Sequence, residues 1–161
     1  MRSTTCIAVL VMIFAIAWSP VAAQDASALN GAWVVTGWSN ADGEANPSPQ
    51  RGLYIFVVTR EDGGNYSLMW VPGSEPRAEF ANQQEPTDQE KLSAYDSFIA
   101  NSGRLIVEGD QITFDAYMAK NPNYMAAFGE SLVVVTWKIE GGTLTLEYAT
   151  SGNTVTLRKP M

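Results

Sequence analysis

Acid–base and nucleophilic chemistry needs histidine, a thiolate or a carboxylate held away from water, and this sequence offers little of any. It has no histidine and one cysteine, Cys6. Ser–His and Cys–His pairs therefore cannot be assembled, and the usual zinc ligands are missing as well. Phe128-Gly129-Glu130-Ser131 lacks the glycines that flank a nucleophile elbow. Asp42, Glu44, Glu61 and Asp62 fall in turn-forming stretches, where carboxylates are solvated, and Asp115 faces outward by strand alternation. The proton carriers that remain are Tyr66, Tyr117 and Tyr148. Paired with a buried carboxylate, one of them would be able to isomerise or cyclise a reactive small molecule. These residue types support no assignment of a catalytic residue, a metal ligand or a cofactor.

The elements that must position those tyrosines are mostly short strands separated by turn residues. Ala32–Ser39 is the first, and Gly52–Thr59 follows a polar loop at Glu44–Gln50. Glu61-Asp62-Gly63-Gly64 turns the chain into Asn65–Val71. Ser74–Glu85 reads as a long loop. Thr87-Asp88-Gln89-Glu90 then has the form of a capping box. Leu92, Tyr95, Phe98 and Ile99 continue at helical spacing, which predicts a helix over Asp88–Ala100 that buries one stripe. Asn101-Ser102-Gly103 ends it. Five strands come next, at Arg104–Glu108, Gln111–Ala119, Ser131–Ile139, Thr143–Ala149 and Thr154–Lys159. A loop through Tyr124, Met125 and Phe128 covers one end.

Alternation decides how the strands assemble. Tyr66, Leu68 and Trp70 oppose Ser67, and Phe114, Ala116 and Met118 oppose Thr113 and Asp115. Val133, Val135, Trp137 and Ile139 oppose Thr136 and Lys138, while Leu144, Leu146 and Tyr148 oppose Thr145 and Glu147. Strands with one apolar and one wet face, in meander order, suit a single sheet rolled on itself with no free edge. The fold class expected is all-β: an eight-stranded antiparallel up-and-down β-barrel with one α-helix inserted after the third strand. Such a barrel is just wide enough to be filled by its side chains or to enclose one small ligand. Gly52–Thr59 is apolar on both faces, through Tyr54 and Phe56 on one and Leu53, Ile55 and Val57 on the other. The helix is expected to cover its outer face.

Residues 1–23 read as an export signal. Arg2 gives a positive start, Cys6 to Trp18 is apolar but shorter than the roughly 20 residues that span a bilayer, and Val21-Ala22-Ala23 supplies small residues for cleavage. The domain is then 24–161, exported to the periplasm or secreted, without a cysteine and with no membrane span after cleavage. The chain carries 17 acidic against 10 basic residues, a net charge of −7. That balance repels phosphate backbones and anionic lipid heads, so no nucleic-acid partner is expected.

Gly31-x-Trp33 opens the first strand, Arg51-Gly52-Leu53-Tyr54-Ile55 the second, and Gly103-Arg104-Leu105 follows the helix segment Ala94–Ala100. Gly142-Thr143-Leu144-Thr145-Leu146 lies near the end. In this order the chain resembles the bacterial and fungal lipocalin-like domain family, from Leu29 to Lys159. The resemblance implies a calycin-type barrel and a small apolar ligand. The chain departs from the family at Phe114, where members place a histidine, and at Thr136, where they place an arginine. In related barrels the first tryptophan closes the floor against a basic side chain of the last strand, which makes Trp33 and Arg158 the expected floor pair.

The inward set is Tyr66, Leu68, Trp70, Phe114, Met118, Val135, Trp137 and Tyr148. These residues would either pack solid as a core or line a site in which hydroxyl and indole donors orient an apolar guest. Three functions follow: an exported carrier or scavenger of a small hydrophobic molecule, an enzyme of the isomerase or cyclase type on such a molecule, and a rigid barrel whose loops bind another protein.

Overall fold

The computed structural model describes residues 24–46, 51–125 and 132–161. The expected export signal with Cys6, and Phe128 and Ser131 of the expected loop and strand, lie outside the described residues. A short 3-10 helix at Ala26–Leu29 leads into β1 (Gly31–Ser39), β2 (Arg51–Arg60) and β3 (Gly63–Val71). The helix α1 (Asp88–Asp96) comes next, then β4 (Ile99–Glu108), β5 (Gln111–Ala119), β6 (Val133–Glu140), β7 (Thr143–Tyr148) and β8 (Thr154–Arg158). The strands pair in sequence order and β8 returns to β1, so the expected eight-stranded antiparallel up-and-down barrel is the architecture found. Among the described residues no helix is long and apolar enough to cross a membrane.

The two ends of the barrel differ. At one end, two-residue turns join β2 to β3, β4 to β5 and β6 to β7, and the N-terminal 3-10 helix packs beneath them with Leu29 fully buried. This end is the floor. The long connections leave from the other end, between β1 and β2, β3 and β4, and β5 and β6. That end is the mouth.

The helix differs from its expected form. Thr87 and Glu90 do close a capping box, but α1 stops at Asp96 and buries no residue, with Leu92 and Tyr95 exposed. Ile99 to Ser102, expected as the helix end and stop, pair instead with Trp70 to Ser67 of β3. Extending the β3–β4 ladder satisfies their backbone groups, and that outweighs helical spacing. Gly103 is a strand residue too, where a Cβ would run into the Asp115 carbonyl oxygen. Without Phe98 and Ile99 the apolar stripe of α1 shrinks to Leu92 and Tyr95. The helix does not shield β2, whose outward Leu53, Ile55 and Val57 remain exposed.

Two bulges reset which residues face the lumen. In β5 the register passes from Gly103↔Ala116 to Ser102↔Met118, so Tyr117 is an extra residue. Paired residues share a face. Met118 therefore goes outward with Ser102 and is 67% exposed, and Ala119 takes the inward place opposite Asn101. In β1 the register jumps between Val35 and Gly37, which brings Trp38 inward opposite buried Val155. Each bulge adds one residue to one strand and inverts the alternation beyond it.

Candidate functional site

The lumen is best described from the floor upward. Trp33 is buried and its indole nitrogen donates to the Leu29 carbonyl at 2.6 Å. The cation over its ring is Lys159, with Nζ 5.2 Å from the ring centroid and a hydrogen bond to the Asn30 carbonyl. Arg158, expected in that role, pairs across to Val34 and Thr143 and is exposed, its Nε donating to Thr143 Oγ1. Strand parity turns Arg158 outward, whereas Lys159 lies past the end of β8 and is free to fold under the floor. Gln24 clamps β6, donating to the Trp137 carbonyl and accepting from the Ile139 N–H, and Trp137 Nε1 donates to the Gly109 carbonyl. With Leu105, Ile112, Leu144 and Leu157 buried above it, the floor is closed and its polar atoms are partnered.

An aromatic belt fills the middle. Phe56 lies stacked on Phe114 at 6.3 Å between centroids, Tyr66 is tilted on Phe114 at 4.6 Å, and Tyr54 contacts Phe56 at 6.1 Å. Tyr54 is wholly buried, and its hydroxyl lies 2.9 Å from that of Tyr148 on the opposite wall. Burial pushes the pKa of all three tyrosines up, and in Tyr54 and Tyr66 the neighbouring Tyr148 adds to it. All three are neutral phenols at ordinary pH. The hydroxyl of Tyr66 has no hydrogen-bond partner among the described residues.

Toward the mouth the packing opens. Trp38 and Trp70 meet edge-to-face at 5.7 Å, an arrangement worth about 0.5–1.5 kcal/mol beyond the area it buries. Gly52 runs beneath them, where a Cβ would come within 2.7 Å of the Trp70 Cβ and 2.6 Å of Val35. Trp38, Tyr148, Val133 and Ile99 pack on the core but stay partly exposed.

Of the inward set expected from sequence, Tyr66, Leu68, Trp70, Phe114, Val135 and Trp137 are buried together and Tyr148 is half-buried against them. Met118 is not among them. Trp38, Tyr54 and Phe56 join them without having been expected there. The signal for Tyr54 and Phe56 lay in the glycine at Gly52, which shares their face and marks a close approach inside the barrel. For Trp38 the bulge left no sequence signal.

No tyrosine of the lumen bonds a carboxylate among the described residues, and Tyr117 is exposed. Asp115 pairs with Arg104 at 2.9 Å on the outer surface. No group of three or more potential metal ligands comes together among the described residues.

A groove of about 400 Å³ lies outside the barrel, between segment 71–80 and α1. Two of its charged groups are already engaged. Arg77 donates to Ser97 Oγ and the Ala94 carbonyl, and Glu90 accepts from the backbone N–H groups of Ala81 and Thr87.

No family model and no curated protein matches the chain. Among solved structures, the chain is similar to a lipocalin-like protein from Bacteroides uniformis, at 17% identity and a TM-score of 0.48, over 82% of this chain and 98% of that one. It is also similar to an uncharacterized protein from Bacteroides eggerthii, at 13% identity and a TM-score of 0.48, over 82% and 99% of the two chains. A redesigned beta barrel matches at 14% identity and a TM-score of 0.47, over 87% and 98%. The barrel assignment rests on the strand order of this chain itself.

Proposed function

We propose that this protein binds a small, largely apolar molecule in the mouth half of its barrel, as an exported carrier or scavenger. One observation carries the reading. Large inward side chains at the mouth, Trp38, Tyr148, Val133 and Ile99, are left partly uncovered above a floor that is closed. Covering them would contribute about 25 cal/mol for each Å² of apolar surface removed from water. The export half of the proposal rests on the signal-like residues 1–23.

The test is titration with N-phenylnaphthylamine, a neutral apolar fluorophore. Its emission should rise on binding while the exciton couplet of the Trp38–Trp70 pair changes in far-ultraviolet circular dichroism. Trp38→Ala and Trp70→Ala should each weaken binding by roughly tenfold, about 1.4 kcal/mol. A probe that binds with the couplet unmoved, or that does not bind, overturns the assignment. A second reading, a rigid barrel that presents its loops to another protein, draws on the exposed Tyr124 and Met125 after β5, with Tyr117 and Met118 exposed near the end of that strand.

A further inference from the structure

The Tyr54–Tyr148 contact leaves one proton over. Two hydroxyls carry two protons, and a single contact at 2.9 Å uses one of them. The surroundings decide which. Tyr54 is wholly enclosed, and Tyr148 is its only hydroxyl partner among the described residues. If Tyr148 were the donor, the Tyr54 proton would be stranded in hydrocarbon, which is the costlier arrangement. Tyr54 therefore donates and Tyr148 accepts. The remaining O–H belongs to Tyr148, which ends β7 at the mouth and is the less covered of the two. Accepting a bond also polarises a hydroxyl and makes it the better donor to the next group.

The surroundings also set the sign of the acceptor. No charged residue is buried among the described residues, so none of them places a cation deep in the lumen. Toward the mouth, Arg77 is engaged with Ser97 and Ala94, Lys120 with the Phe98 carbonyl, and Arg51 at the start of β2 is exposed. A carboxylate brought to Tyr148 would lose its water without gaining a counter-charge, whereas a neutral carbonyl oxygen takes the proton without that penalty.

Building on the mouth-binding reading above, we propose that Tyr148 is the donor that recognises a neutral carbonyl-type oxygen on the ligand, with Tyr54 as the positioning residue behind it. The site selects ketones, esters, lactones or amides with an apolar body over hydrocarbons of the same shape and over carboxylate anions. Trp38 and Trp70 hold the body and Tyr148 holds the oxygen.

Three naphthalenes of similar size separate the outcomes: the methyl ketone, the ethyl hydrocarbon and the carboxylate, each titrated calorimetrically at neutral pH. The ketone should bind about tenfold tighter than the hydrocarbon, and the carboxylate no tighter than the hydrocarbon. The infrared carbonyl stretch of the bound ketone should move to lower frequency, lose that shift in Tyr148→Phe, and keep only part of it in Tyr54→Phe. Equal binding of ketone and hydrocarbon, tightest binding of the carboxylate, or a shift that survives Tyr148→Phe overturns the proposal while mouth binding stands. Failure of all three to bind the unaltered protein removes both. The ketone-to-hydrocarbon ratio needs no variant, so a misfolded substitution does not blunt the test.

Discussion

Three phenol oxygens in one hydrocarbon lumen tie the stability of this protein to alkaline pH. The folded pKa values of Tyr54, Tyr66 and Tyr148 lie above the ordinary 10.0, burial being the main cause in each. In the unfolded chain they ionise near that ordinary value, so the unfolded state holds fewer protons in alkali. Their contribution is complete below 10.0 and is lost as pH rises from there toward the folded values. Phenolate absorbance should accordingly stop short of six tyrosines until the barrel unfolds, and the rest should appear together with loss of the near-ultraviolet dichroism. Smooth ionisation of all six in the folded protein would contradict this burial. The same residue scale marks the limit of sequence reading. Tyr66, Trp70, Phe114 and Trp137 could be placed because alternation runs unbroken through them. Met118 and Trp38 could not, because a single extra residue inverts the pattern without leaving a compositional trace. Tyr54 and Phe56 were ambiguous because both faces of β2 are apolar.

Among the elements, α1 owes its position to polar tethers rather than to a buried face. Tyr95 donates to the Lys120 carbonyl at 2.6 Å, and Lys120 Nζ stands 4.3 Å from the Tyr95 ring and 5.1 Å from that of Phe98. Each cation–ring contact of this exposed kind contributes about 0.5–1 kcal/mol. At the other end of the helix, the Glu90 carboxylate accepts the Ala81 N–H and the Thr87 N–H and hydroxyl, which hold its pKa down to about 2. A folded value below the ordinary 4.5 means that this contribution is present above 4.5 and disappears as pH falls toward about 2. Protection factors of the Ala81 and Thr87 amides should fall over that window. In Glu90→Gln they should lose that pH dependence, and the same profile in both proteins would refute the role given to Glu90. The capping box was readable because its partners are three residues apart. The helix end was not, because β3, some thirty residues upstream, supplies the ladder that recruits Ile99 to Ser102.

For the whole molecule, the barrel itself was legible, since eight amphipathic segments in meander order have few ways to hide their apolar faces. The difference between a shut floor and an open mouth was not, because it depends on where the 3-10 helix and Lys159 come to rest. The seam that completes the cylinder has a topological consequence. Val34 lies against Arg158 and Ser39 against Thr154, so the first and last strands are lateral neighbours, and Lys159 reaches the Asn30 carbonyl. The order of the strands around the circle is therefore independent of where the chain is cut. A circular permutant joined by a flexible glycine–serine linker between Met161 and Gln24, and opened at the exposed Gly141-Gly142 turn, keeps every ladder. It should reproduce the parent's tryptophan couplet and unfold in one cooperative transition. A permutant without that couplet would mean that the seam depends on chain continuity as well as on pairing.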